Sequence, residues 1–392
     1  MVREPTMSDR EDAQRRIVTA LAQHVSYLHR TGTAHVNKAL AIIDEMSAEL
    51  PREIGERLDN LTPAELQAFA RGRYHTTRLK GLRDAIDRWV STLGERIKSM
   101  SLKELAALAD QEAGYVRDLI AQAVEGEIPP DPAVASAALS RPVMGEFVED
   151  MLADIGPATR NRVYSTIRQG VSEGQSNSQI IRALRGTPAL KYRDGVLQTT
   201  RNNVDNVVRT ARQHMSNEAY RKTYNALGVT HVVWVAQLEG RTCRRCAPLD
   251  GRRWKIDEPH PEPPLHHRCR CSLAPSLDGD IMGQRPYVRA LKVKGRDDQA
   301  KFRSIGNMTK KQREAAGLEV GQVSAGTTYA DWFASQSARY QREWLGDRRY
   351  RLYKEGGYSL DRFTDPRQRE YTLDELRARD RETFAEVFGE AA

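Results

Sequence analysis

The sequence predicts a mainly α protein, with a helical N-terminal arm, a small α+β module in the middle, a basic linker and a short helical C-terminal region. Three observations carry this. Apolar residues recur at helical spacing through the first third. One β-branched and aromatic run, Thr230 to Ala236, reads as a strand. All four cysteines fall between Cys243 and Cys271, directly after that strand.

The helical arm spans 1–128. Ile17, Leu21, Val25, Leu28, Val36, Leu40, Ile43 and Met46 form an apolar stripe that Pro51 punctuates. Thr62-Pro63-Ala64-Glu65 is a helix start, with Thr62 as N-cap, proline at the first helical position and Glu65 closing a capping box. That helix is expected to reach about Tyr74. Leu82, Ile86, Trp89 and Leu93 mark a further helix, from about Thr77 to Ile97. Ser101-Leu102-Lys103-Glu104 reads as a second capping box, opening a separate helix to about Val124. Glu125 to Pro132 is rich in proline and reads as a linker.

The middle module spans 129–280. Helices are expected over about Val143–Ile155, Ala158–Glu173 and Ser178–Leu184. A long one follows from Gly195 to Leu227, with Gly228 as its stop. After the strand at 230–236, short strands are expected around Trp254 and over Ser272–Pro275. The basic linker spans 281–326 and the C-terminal region 327–392. There Thr372-Leu373-Asp374-Glu375 is a third capping box.

The formal net charge is +8 and the mean hydropathy −0.65. No apolar run approaches the length needed to cross a bilayer, and the first residues lack an apolar signal core. A soluble chain made in a reducing compartment is expected, without membrane partners. Between Arg285 and Arg313 only Asp297 and Asp298 oppose a run of Lys and Arg. Such a stretch suits a phosphate backbone or an acidic protein surface, or is a solvated linker. Lys292, Lys294, Arg296, Lys310 and Lys311 are the candidate nucleic-acid contacts.

Clustered cysteines in a large chain without a signal sequence favour metal over disulfides. Cys243-x-x-Cys246 forms one knuckle, and His266-x-x-Cys269 has the same spacing. Together they supply a closed four-ligand site for structural Zn2+, so the middle module is expected to be zinc-braced. Cys271 lies two residues past Cys269 and competes with His266 for the fourth position. A set of small buried thiols without metal is the plainer alternative. The flanking arginines, Arg241, Arg244, Arg245, Arg252, Arg253, Arg268 and Arg270, either offset thiolate charge or contact nucleic acid or an acidic partner. His260-Pro261-Glu262 has the H-x-E spacing of zinc deaminases, but it follows the Cys-x-x-Cys instead of preceding it. No H-E-x-x-H, G-x-S-x-G or P-loop occurs. No catalytic residues are assigned and no enzyme activity is expected.

Trp234, Leu238-Glu239-Gly240-Arg241-Thr242-Cys243-Arg244-Arg245-Cys246-Ala247-Pro248-Leu249-Asp250-Gly251 and Pro263-Pro264-Leu265-His266-His267-Arg268-Cys269-Arg270-Cys271 resemble the signature of the phage Mu F-like minor head proteins, the phage head morphogenesis family. The resemblance covers about 140–280. Arg209-Thr210-Ala211 stands in the place of the family's R-T-E helix, with Arg212 where the family often has glutamate. The stretch from Thr328 to Leu376 is similar to a tail found on many such proteins. The resemblance implies a minor capsid protein of a tailed bacteriophage, acting at the portal vertex in procapsid assembly. It implies the portal protein and the major capsid or scaffold protein as partners, with phage DNA as a further contact during packaging or ejection. It places the chain in the virion, in the capsid interior at the portal vertex, and in the host cytoplasm during assembly. Two alternatives from other classes are a nucleic-acid-binding zinc protein and an effector or toxin enzyme carried on such a module. The second would have to reside in 326–392, which lacks a convergent His/Glu/Ser set.

Overall fold

The structure, a computed structural model, describes residues 7–47, 49–124, 133–187, 194–276, 283–289, 292–294, 300–302, 309–315 and 318–389. The expected linker at Glu125–Pro132 and the candidate Arg296 lie outside these residues.

The first third forms α1 (Met7–Met46), α2 (Glu49–Asp59), α3 (Pro63–Ala70) and α4 (Thr77–Val124). In α1 the predicted stripe is buried at Ile17, Leu21, Val25, Leu28, Val36, Ile43 and Met46. Pro51 sits in the first turn of α2, where its missing N–H leaves no helical bond unmade. The capping box at Thr62 forms: the Glu65 N–H donates to Thr62 Oγ1 at 3.3 Å, and the Thr62 N–H donates to Glu65 Oε2 at 2.9 Å. Its helix ends at Ala70, a turn earlier than expected.

The second box does not form. Ser101 lies inside α4, a single helix of 48 residues, and is fully buried. The buried positions Leu93, Ile97, Leu105, Ala109, Val116 and Ile120 continue one apolar face in phase through the serine. Packing of that face against α1 and the long helices downstream overrides the local start signal.

The middle third contains α5 (Val134–Leu139), α6 (Val148–Ala153), α7 (Ile155–Ser172), α8 (Asn177–Arg185) and α9 (Val196–Ala226). The helix expected over Val143–Ile155 is shorter, because Val143 and Glu146 pair their backbones around a turn with Met144 and Gly145 at positive φ. The Ala-rich α5 was not expected from the sequence pattern. Helix α9 is the axis of the fold and packs on α1, α4, α5 and α7. Gly228, at φ 65°, ends it as expected.

The predicted strands form β1 (His231–Val235), β3 (Arg253–Lys255) and β4 (Ser272–Ser276), an antiparallel sheet in the order β3-β1-β4. Between them runs β2 (Leu238–Glu239). The segment 281–326, expected as a linker, is structured at both ends. Its strands β5 (Gln284–Arg289) and β8 (Glu319–Ser324) pair with each other, and β5 also pairs with β2, in parallel. Between them lie β6 (Lys292–Lys294), β7 (Ala300–Phe302), which pairs with β6, and α10 (Lys310–Ala315). The charge run hid the strand because Arg285 is a buried ion-pair partner, not a solvated cation. The C-terminal region has α11 (Tyr329–Ala334), α12 (Ala338–Leu345), α13 (Asp347–Lys354), α14 (Leu373–Arg379) and α15 (Arg381–Phe388).

Two cores result. The first runs without a break from Ile17 to Ala274, so the expected boundary near 128 does not separate two cores. The arm's apolar stripe is satisfied by α9 within the same chain. The second core gathers Tyr329, Trp332, Phe333, Tyr340, Phe363 and Phe384 around Leu238 and Ala247 of the module. Among the described residues no helix is long and apolar enough to cross a membrane.

Candidate metal centre

The site lies at the open end of the small sheet. After β1 the chain turns, and the Thr242 hydroxyl donates to the Gln237 carbonyl at 2.5 Å, holding the start of the knuckle. The N–H groups of Cys246 and Ala247 both donate to the Cys243 carbonyl, at 3.2 and 3.0 Å. This tight turn points both thiols the same way. The second knuckle closes likewise, with the Cys269 N–H donating to the His266 carbonyl at 3.1 Å.

The two knuckles meet. His266 Nε2 lies 3.1 Å from Cys243 Sγ and 3.4 Å from Cys246 Sγ, and Cys246 Sγ lies 3.8 Å from Cys269 Sγ. Tetrahedral zinc with Zn–S bonds of about 2.3 Å requires sulfurs about 3.8 Å apart. The ring's other nitrogen, Nδ1, donates to the His267 carbonyl at 2.8 Å, since a carbonyl can only accept. That bond fixes the ring with Nε2 aimed at the sulfurs, the orientation a metal requires once Nε2 gives up its proton. Cys271 Sγ groups with those of Cys246 and Cys269, and its carbonyl accepts from Gln213 of α9 at 2.9 Å. All five sequence candidates, Cys243, Cys246, His266, Cys269 and Cys271, therefore converge, in two overlapping groups that can hold a metal ion. Cys246, Cys269 and Cys271 are buried; Cys243 and His266 are half-buried at the rim.

The electrostatics agree with a ligand set. The Cys243 thiol is lowered to about 5, chiefly by the hydrogen bond from Cys246, with His266 adding to it. Cys269 is held well below the usual thiol range by hydrogen bonds from Cys246 and Cys271. Burial works against protonation of His266, but Cys243 and Cys269 outweigh it and raise the imidazole to about 10. Shared protons pull in the other direction at Cys246, and burial does so at Cys271.

The H-x-E pair is not part of this centre. His260 stacks on Trp254, and Glu262 pairs with Arg141 at 2.8 Å. The arginine flanks are mostly committed. Arg241 and Arg270 both pair with Glu239, and Arg268 pairs with Asp205. Arg244 binds Glu370 at 2.7 Å and the Trp344 carbonyl at 2.8 Å, and Arg245 binds the Gln368 carbonyl at 2.6 Å. These ties join the knuckle to the C-terminal region, a link with no local sequence signal.

Of the candidate nucleic-acid contacts, Lys310 and Lys311 lie exposed on α10, and Lys292 and Lys294 lie on β6. They are not brought into the metal centre.

Residues 161–274 match the family model described as Phage Mu protein F like protein. This segment, under a third of the chain, is similar to the phage Mu F-like proteins. No curated protein and no solved structure matches the chain. The Mu F-like segment starts within α7, includes the whole of α9 and the β3-β1-β4 sheet up to Ala274, and contains all five candidate ligands. Helices α1 to α4 and the C-terminal region lie outside it.

Proposed function

We propose that the chain is a structural component of the head of a tailed bacteriophage, acting at the portal vertex while the procapsid assembles. The observation that carries this is the coincidence of the Mu F-like segment with a convergent Cys/His centre made from two knuckles. In this reading the ion is Zn2+, held by Cys243, Cys246, His266 and Cys269. His266 is preferred to Cys271 because its Nδ1–H bond to the His267 carbonyl already aims Nε2 at the Cys243 and Cys246 sulfurs. Four protein ligands leave no open position for substrate, so the metal supplies folding free energy and no catalysis. The portal protein is the first expected partner, with the major capsid or scaffold protein next. The chain is then part of the virion and passes through the host cytoplasm during assembly.

Metal analysis of purified protein should give about one zinc per chain. Cys243→Ser and Cys269→Ser should lose it and unfold the sheet around β1; a metal-free, folded wild type would refute the zinc reading. The portal role is tested separately by coexpression with the portal protein and size-exclusion chromatography. Failure of the two to co-elute counts against it.

Contact with packaged DNA is a compatible second role, favoured by the exposed Lys310 and Lys311 on α10 and by Lys292 and Lys294 on β6. Arg296 would extend that set. Neutralising the five should lower DNA affinity and flatten its salt dependence. DNA retention and a salt slope equal to those of the wild type would exclude this surface.

A further inference from the structure

A cavity of about 450 Å3 opens beside the cysteine cluster, between the two knuckles and α12. Arg241, Arg244, Arg268 and Arg270 line it, with Trp344 on the α12 side. The side chains of Arg241 and Arg268 are 53% and 49% exposed, so both are open to a ligand.

Each carboxylate that these arginines reach serves two cations. Glu239 binds Arg241 at 2.9 Å and also Arg270. Asp205 binds Arg209 at 2.7 Å and also Arg268. Glu370 binds Arg244 at 2.7 Å and Arg349 at 3.1 Å. Among the described residues six arginines therefore share three carboxylates, an excess of three positive charges. The further acid of the lining, Glu343, is matched by Arg339 at 3.1 Å. A divalent ion on three thiolates and a neutral imidazole takes back one of these charges and leaves two. The excess is also felt behind the cavity. Burial lowers His29 to about 3, and Arg270, Arg241 and Arg209 push it the same way, against Cys269.

Donors remain as well as charge. A guanidinium carries five N–H groups in a fork and no acceptor. Arg241 gives Nε and Nη2 to Glu239, and Arg268 gives Nη2 to Asp205. The missing partner is an acceptor with more than one negative charge.

We propose that this cavity binds a phosphate group, gripped by Arg241 just before the first knuckle and by Arg268 inside the second. A phosphate monoester brings close to two negative charges and three acceptor oxygens, which suits forks arriving from two sides. A single carboxylate would leave charge unmatched. The phosphate comes from a small soluble ester or from a nucleic-acid strand. The arginine count does not depend on which ion the cysteines hold.

The test uses the full chain. Isothermal titration of the wild type with inorganic phosphate, against chloride at equal ionic strength, should show about one site per chain, a readout that needs no variant. Arg241→Gln combined with Arg268→Gln should weaken phosphate at least about tenfold. Each substitution leaves its carboxylate the other arginine, so the fold should be kept. Metal analysis of the double variant, expected unchanged, keeps this result separate from the zinc reading. A labelled single-stranded oligonucleotide, followed by fluorescence anisotropy, separates the sources. Binding that the double variant loses and inorganic phosphate competes away assigns the site to a strand. Oligonucleotide binding that neither alters, with phosphate binding lost in the variant, assigns it to a small ester. No phosphate binding by the wild type overturns the proposal, and so does a double variant that binds phosphate within about twofold of the wild type.

Discussion

Asp250 has no exposed side-chain surface, yet it is the residue on which three segments converge. Oδ1 accepts from the Ala236 N–H at 2.7 Å and Oδ2 from the Tyr329 N–H at 2.6 Å. Arg285 reaches both oxygens, at 3.1 and 2.8 Å, and its side chain is 5% exposed. The end of β1, the start of β5 and the start of α11 thus share one carboxylate. Removing one partner of such a pair leaves a buried charge, so Asp250→Asn should lower unfolding free energy by about 3–5 kcal/mol in urea titrations. A loss below about 1 kcal/mol would mean that solvent reaches the pair. The sequence marks Asp250 as part of Leu249-Asp250-Gly251 but places Arg285 in a basic run. A pair so far apart in the chain has no periodicity to reveal it. The cysteine spacing, by contrast, was legible, because each knuckle is a local turn and needs no knowledge of distant contacts.

At the scale of elements, three S/T-x-x-E signals read alike and only two are caps. Thr62 and Thr372 form full capping boxes, whereas Ser101 is embedded in α4 with its buried hydroxyl unpartnered. The difference lies in the flanks. Asn60-Leu61 and Arg369-Glu370 precede the true caps in irregular backbone, while an unbroken apolar face runs through Ser101. Thr62→Ala should therefore cost about 1 kcal/mol. Ser101→Ala should be neutral or stabilising, by up to about 1 kcal/mol, because it deletes an unmet hydroxyl and improves helix propensity. Thermal melts of the two variants moving in the same direction would contradict the assignment. The true caps also carry a pH signature. The Thr62 N–H lowers Glu65 to about 2, and Arg369 does the same for Glu375. Both folded values lie below the unfolded 4.5. Their stabilisation is therefore complete above about pH 4.5 and is lost as pH falls toward 2. NMR titration of the two side-chain carboxyls should show both low midpoints, and midpoints near 4.5 would mean the boxes are open in solution.

At the scale of the whole molecule, the Cys/His cluster that could hold a metal stands at the seam between the two cores. Cys246, Cys269 and Cys271 belong to the first, while the neighbouring Leu238 and Ala247 belong to the second. Arg244 and Arg245, inside the first knuckle, reach Glu370, the Trp344 carbonyl and the Gln368 carbonyl, and the Trp344 indole N–H returns a bond to the Thr242 carbonyl at 2.9 Å. A metal that fixes this turn fixes both ends of those bonds. Its loss should then be felt well beyond the cysteines. In hydrogen-exchange mass spectrometry, stripping the proposed zinc with a chelator should speed exchange in β1 and β4, and also in α12 and around Gln368 to Tyr371. The buried faces of α4 and α7, far from the seam, should keep their protection. Exchange changes confined to 243–271 would show that the C-terminal region holds its place without the knuckle. Acceleration throughout α4 would show instead that the metal supports the entire first core. The expected intermediate pattern follows from the bonds alone: the ties run from the knuckle toward the C-terminal helices, while α4 is held by apolar contacts to α1, α7 and α9 that do not involve the centre.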